Sequence, residues 1–198
     1  GIDLDPVGLT PNDPGDADTG RQNFPDLSAA VAVGGATIVR GAVATAPGRT
    51  LTLRFAASPA CDPAGFGEGA TPLGSATVTA DAAGNAAFEA SLPLASAPGQ
   101  QLTATATGPE GTSEFSACRA VQAAGTLAFS AARVTAAEGG RATLTVVRSG
   151  AAGVTSHVRV ATVGGTASAG RDFAASSATV TFAPGETAKA VTVPIAKD

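Results

Sequence analysis

Threonine alternates with leucine, valine, alanine or phenylalanine along much of this chain, and that two-residue period constrains the fold more than any other feature. It runs through Thr50-Leu51-Thr52-Leu53-Arg54-Phe55, Ala76-Thr77-Val78-Thr79, Leu102-Thr103-Ala104-Thr105, Ala142-Thr143-Leu144-Thr145-Val146 and Val191-Thr192-Val193. Successive side chains of an extended backbone point to opposite faces, so one face collects the apolar residues and the other the threonines. That is the signature of half-buried antiparallel strands. Turn signals stand between the runs: Ala46-Pro47-Gly48, Ala83-Gly84-Asn85, Ala97-Pro98-Gly99, Pro109-Glu110-Gly111, Glu138-Gly139-Gly140 and Ala183-Pro184-Gly185-Glu186. Helical spacing is nearly absent. The expected fold is all-β, as two consecutive antiparallel β-sandwich domains.

Three segments follow from the same pattern. Residues 1–26 are rich in Asp, Pro and Gly, make no strand ladder, and read as the end of an upstream unit. Residues 27–122 hold about seven strand candidates and both cysteines, and residues 125–198 restart the alternation after Gln122-Ala123-Ala124. The chain opens on Gly1 and stops at Asp198 directly after a strand-like run, so it reads as an internal piece of a longer polypeptide. The second sandwich is then expected to be incomplete, with inner positions such as Val180 and Phe182 short of cover and an edge open to pairing with another chain.

Composition narrows the function classes. Charged residues make up 14% of the chain, the net charge is -4, and Lys189 and Lys197 are the only lysines, which leaves no basic face for nucleic acid. No stretch approaches the ~20 apolar residues of a membrane-spanning helix. Trp and Tyr are absent, which removes the usual aromatic platform for carbohydrate. His157 lies in the alternating run Thr155-Ser156-His157-Val158-Arg159 with no accompanying nucleophile, and two Cys with one His are too few for a structural zinc site. Gly65-Phe66-Gly67-Glu68-Gly69 lacks the Lys and the following helix of a phosphate loop and reads as a surface loop anchored by Phe66. An enzyme is not expected.

Cys61 and Cys118 are the only cysteines. A disulfide between them suits an oxidising compartment and a domain short of large core side chains, and would stabilise by roughly 4 kcal/mol in the chain-entropy account. Two separate buried thiols are the alternative. The acidic stretch Asn12-Asp13-Pro14-Gly15-Asp16-Ala17-Asp18-Thr19-Gly20 offers the hard oxygens that Ca²⁺ takes, but not the twelve-residue loop spacing with its closing Glu. A solvated, Asp-capped turn is the simpler reading there.

Residues 1–122 resemble a segment of large bacterial secreted and surface proteins. The resemblance rests on Gly1-Ile2-Asp3-Leu4, Asn12-Asp13, Gln22-Asn23-Phe24-Pro25, Ser58-Pro59-Ala60-Cys61-Asp62-Pro63, Gly65-Phe66-Gly67-Glu68-Gly69 and Thr112-Ser113-Glu114-Phe115-Ser116-Ala117-Cys118. In those proteins the opening phrases close a parallel β-helix, and an immunoglobulin-like repeat follows. The resemblance implies an extracellular sandwich with Cys61 and Cys118 stapling a loop to its last strand.

Residues 125–198 resemble a Calx-beta domain. The residues that carry the likeness are Val134-Thr135-Ala136-Ala137-Glu138-Gly139-Gly140, Gly165-Thr166-Ala167, Gly170-Arg171-Asp172-Phe173, Phe182-Ala183-Pro184-Gly185-Glu186-Thr187 and Val193-Pro194-Ile195. This resemblance implies a Ca²⁺ site at one tip of the sandwich, formed by Glu138, Asp172 and Asp198. Converging carboxylates repel one another unless a cation neutralises them. Lys197 departs from the family pattern, because calcium-binding members carry an acid at its place. Glu186, in the Pro-Gly-Glu-Thr turn, reads as a structural turn residue.

The expected function is a non-enzymatic structural and adhesion module of a bacterial secreted or surface protein, stiffened by Ca²⁺ at the Calx-beta tip. A Ca²⁺-responsive regulatory binding module is the alternative. Expected partners are neighbouring domains of the same polypeptide and other cell-surface proteins, without nucleic acid or direct membrane insertion.

Overall fold

The computed structural model describes Ile2, residues 8–16 and residues 21–197. Among them the chain forms fourteen strands and no helix: β1 (Asp26–Val33), β2 (Ala36–Ala44), β3 (Thr50–Ser58), β4 (Thr71–Thr79), β5 (Asn85–Leu92), β6 (Gln101–Gly108), β7 (Gly111–Thr112), β8 (Arg119–Ala120), β9 (Gln122–Ala123), β10 (Thr126–Phe129), β11 (Arg141–Ser149), β12 (Ser156–Ala161), β13 (Ser177–Phe182) and β14 (Ala188–Pro194). They divide into two compact units, Gly1–Ala124 and Gly125–Asp198.

The first unit holds two sheets, one ordered β5-β2-β1-β9 and the other β4-β3-β6-β7 with β8 also on β6. The alternation in the sequence decides which side chains enter the space between them. In β3, Leu51, Leu53 and Phe55 are buried while Arg54 is exposed. In β5 the pattern is strict, with Ala86, Phe88, Ala90 and Leu92 inward and Ala87, Glu89 and Ser91 outward. These residues join Val39, Val43, Leu73, Leu102, Ala104 and Ala106 in one cluster. Phe55 and Phe88 meet at its centre with ring centroids 5.9 Å apart. With so much alanine inside, the sheets rely on those few large side chains for the area that drives burial.

Among the described strands of the first unit, pairing is antiparallel apart from one short contact: Val31 and Ala32 of β1 pair in parallel with Gln122 and Ala123 of β9. The sequence pattern predicts an antiparallel arrangement throughout, and this pair departs from it because the chain returns to the β1 edge from the far sheet rather than through a hairpin. The turn between β4 and β5 shows how local chemistry fixes register. Asp81 Oδ1 accepts the N–H groups of Ala83 and Asn85 at 2.8 and 2.9 Å, and Gly84 adopts φ 83°. A Cβ at Gly84 would lie 2.4 Å from Thr45 O, so no larger residue fits there.

The second unit also holds two sheets, β10-β11-β14 and β12-β13. Its buried apolar residues among those described are Val146, Val154 and Phe182. The expectation that Phe182 would lose cover is corrected here, since its side chain is 0% exposed, whereas Val180 is half-buried. Arg148 is buried too; its Nη1 donates to Val154 O at 2.8 Å, which supplies part of the hydrogen bonding that a buried guanidinium requires. An open apolar groove of about 240 Å³ runs between the sheets, lined by Leu127, Phe129, Val146, Val158 and Val160 among others.

Candidate functional site

The carboxylates that the sequence singles out in the second unit sit on loops, and backbone hydrogen bonds bring two of those loops together. Glu138 is exposed in the tight turn before β11, closed by Gly140 N–H on Ala137 O at 3.0 Å with Gly139 at φ 70°. Asp172 ends a loop in which its N–H donates to Ser168 O at 2.9 Å and its Oδ2 accepts the Ser168 N–H at 2.6 Å. Its carboxylate therefore already serves as the cap that closes its own loop. Phe173 forms a bridge with Ile195, next to it.

Ala196 joins the two loops. Its carbonyl accepts Gly139 N–H at 3.1 Å, and its N–H donates to Asp172 O at 3.0 Å. The segment after β14 thus lies between the Glu138 turn and the Asp172 loop, and both belong to the same end of the unit. Lys197 shares that end, with its side chain running past Gly139 (a Cβ there would meet Lys197 Cβ at 3.6 Å and Cδ at 3.9 Å). Asp198, the third residue expected at this tip, lies outside the described residues.

Ca²⁺ takes about six to eight oxygen ligands. The described residues supply two carboxylates, one of them engaged as a loop cap, beside a lysine stem, and no group of three or more His, Cys, Asp or Glu among them could hold a metal ion. Taken alone, the donor set of the described residues does not fit a Ca²⁺ centre. Glu186 behaves as a turn residue: it accepts Ala183 N–H and Lys189 Nζ, each at 2.7 Å. The lysine bond, followed by the backbone bond, holds its carboxyl below the ordinary carboxylate range.

In the first unit, Cys61 and Cys118 form a disulfide with Cα atoms 6.0 Å apart. It ties the loop after β3 to the segment leading into β8. Cys118 N–H also donates to Gly65 O at 2.9 Å, and Phe66 forms a bridge with Ala117. The Phe66 ring packs edge-on against Phe24 with centroids 5.6 Å apart, so this loop is anchored as its sequence predicts.

Sequence reasoning missed the polar network that fastens the N-terminal stretch to this unit. Asp16 is buried with φ 59°; its Oδ1 accepts Asn23 N–H at 2.7 Å and its Oδ2 accepts the Thr45 hydroxyl at 3.2 Å. The solvated turn expected around Asp16 is thus replaced by a buried anchor. Burial pushes its carboxyl up, against the opposing pull of those two hydrogen bonds. Asn23 Nδ2 donates to Asp13 O and Ala44 O, and its Oδ1 accepts Asp13 N–H. The only available signal was the density of Asn and Asp around Pro14-Gly15, because such side chains mimic backbone partners. Asp18 and Gly20 of that stretch lie outside the described residues. His157 Nδ1 lies 3.0 Å from Thr181 Oγ1 on an exposed strand face.

The arrangement is that of loop tips and staples on paired sheets. Residues 121–198 match the Calx-beta domain family. Two solved structures are similar to the chain. One is CBD12 from CALX1.2, at 15% identity over 83% of this chain and 71% of that chain, with a TM-score of 0.36. The other is the calcium binding domain CBD12 of CALX1.1, at 14% identity over 85% and 72%, with a TM-score of 0.39. No curated protein matches the chain.

Proposed function

We propose that this chain is a non-enzymatic structural and adhesion module of a large bacterial secreted or surface protein. In this reading the first unit is an immunoglobulin-like repeat and the second a Calx-beta domain, and their partners are neighbouring domains of the same polypeptide and other cell-surface proteins. The Cys61–Cys118 disulfide is the observation that carries the proposal. Disulfides persist in oxidising compartments, and this one limits how far the first unit can be drawn out under load. Force spectroscopy tests it: chemical reduction should lengthen the extension of the unfolded first unit by about 200 Å, the contour length of the chain between the cysteines. An extension unchanged by reductant would defeat the load-limiting role.

A second reading, a Ca²⁺-responsive regulatory module, is favoured by the Calx-beta match and by the meeting of the Glu138 and Asp172 loops across Ala196. Glu138, Asp172 and Asp198 would be its side-chain ligands, with further oxygens needed from elsewhere. Ligand linkage separates the two readings, because a ligand that binds only the folded state raises its melting temperature. A sensor melts several degrees higher in millimolar Ca²⁺ than in chelator, and a plain spacer melts at the same temperature in both.

A further inference from the structure

The outer face of the β4-β3-β6 sheet carries an open cleft of about 600 Å³, lined by Arg54, Pro72, Ser75, Thr105, Thr107 and Phe115 among others, with Ile2 of the N-terminal strap at its side. Register explains why polar residues gather there. Arg54 pairs with Ser75 on one side and with Thr105 on the other, so the three side chains stand in one cross-strand row. Their strand neighbours Leu53, Phe55, Ala104 and Ala106 belong to the core, which turns the row to the opposite face. Phe115 sets one wall: a Cβ on Gly69 would lie 2.7 Å from its Cζ, so the ring sits directly against that glycine. Arg54 is exposed and makes no hydrogen bond or ion pair with any described residue, and no described acid lines the cleft. Thr105 is 5% exposed, and its hydroxyl likewise has no hydrogen-bond partner among the described residues. A buried hydroxyl is ordinarily satisfied. This one lines the cleft beside a guanidinium whose donors are uncommitted.

We propose that this cleft binds an acidic sugar, with the sugar's carboxylate held by Arg54. A guanidinium meets a carboxylate through two parallel hydrogen bonds. Beside it, the Ser75 and Thr105 hydroxyls both donate and accept, which suits the ring hydroxyls of a sugar. Pro72 and the half-buried Phe115 offer apolar surface to the C–H face of the ring, so the absence of Trp and Tyr does not leave the site without a platform. A peptide fits less well. The backbone groups of β3 are spent on β4 and β6, so recognition on this face falls to side chains. The volume lies within the range of small-molecule clefts, about 300–1,000 Å³, and exceeds what a simple anion needs. The site belongs to the first unit alone and does not depend on the adhesion reading.

Titration of the full chain with glucuronate, glucose and acetate, followed through backbone amide NMR signals, tests the site. Glucuronate should bind with a millimolar Kd and move the signals of Arg54, Ser75, Thr105 and Phe115. Glucose lacks the carboxylate and acetate lacks the ring, so each should bind at least about tenfold more weakly. Arg54→Gln should weaken glucuronate by about tenfold or more, and Thr105→Val, which keeps the side chain's shape, by about threefold. The comparison of the three probes on the wild type holds whether or not a variant folds. Glucuronate shifts that are absent or lie away from this row overturn the proposal. So does a folded Arg54→Gln that binds as the wild type does, or glucose or acetate binding as tightly as glucuronate.

Discussion

Asn12 holds Phe24 by both of its backbone groups: its Nδ2 donates to Phe24 O at 2.8 Å, and Phe24 N–H donates to its Oδ1 at 2.9 Å. One side chain thus does for the strap what a paired strand does inside a sheet. Asn12→Ala leaves both groups of a 7%-exposed residue without partners, and should destabilise the first unit by about 2 kcal/mol. Asn12→Asp keeps the acceptor but sets a carboxylate oxygen against Phe24 O. Its loss should match that of Asn12→Ala at neutral pH and partly recover below about pH 4, where a protonated carboxyl can donate again. Urea unfolding of the three proteins at both pH values checks this.

Asp16 gives a pH prediction with a definite sign. Its folded-state pKa is raised, chiefly by burial, so the native state holds the proton more tightly than the unfolded chain does. Stability from this group is complete below its unfolded value of 3.8 and is lost as pH rises through the folded value, leaving the full burial cost at pH 7. Asp16→Asn removes that cost, can still accept Asn23 N–H, and places at φ 59° a residue that tolerates the left-handed region. The variant should melt above the wild type at pH 7, by up to about 1 kcal/mol of added stability. The two melting curves should converge near pH 3.5. A wild type that is more stable than the variant at pH 7 would show that the charge itself is needed.

The Cys61–Cys118 bond closes a long loop around β4, β5 and β6. Replacing both cysteines by serine should lower the stability of the first unit by about 4 kcal/mol in the chain-entropy account. Amide exchange in β3 and β6 should accelerate in step, because β3 leads into the Cys61 loop and β6 pairs with β8, which follows Cys118 directly. Denaturant unfolding with exchange read out by mass spectrometry measures both effects.

Where the sequence was legible, the reason was periodicity. Thr50 to Phe55 announces β3, and Gly84-Asn85 announces the turn into β5, because strand alternation and turn chemistry are local properties. The parallel contact of β1 with β9 left no such mark, since two paired residues far apart in the chain carry no period. The anchoring of the strap was hidden for a related reason. Asn12, Asp16 and Asn23 bind backbone groups, and Asp-Pro-Gly composition looks the same whether such side chains face solvent or a partner. The full burial of Phe182 has no mark in its strand's alternation, because burial depends on what packs over the strand. At the tip of the second unit, residue types were readable, but the role of Ala196 as the link between two loops depends on backbone bonds that have no sequence signature.

Asp172 decides between a structural and a ligand role at that tip. Its Oδ2 accepts the Ser168 N–H, and an asparagine can accept the same bond through its side-chain oxygen, whereas an alanine cannot. If the carboxylate acts only as a loop cap, Asp172→Asn should leave the melting temperature within about 1 °C of the wild type, while Asp172→Ala should cost about 1 kcal/mol. Those values should not depend on Ca²⁺. If the carboxylate is also a ligand, Asp172→Asn should abolish any stabilisation by Ca²⁺ while leaving the calcium-free protein unchanged, since it removes the charge and keeps the cap. Calorimetry of the three proteins in Ca²⁺ and in chelator gives a different pattern for each case. Lys197→Ala sharpens the comparison: it removes a positive charge whose side-chain stem passes Gly139, which favours a cation at the tip, so a calcium response that grows in that variant would mark the lysine as its antagonist.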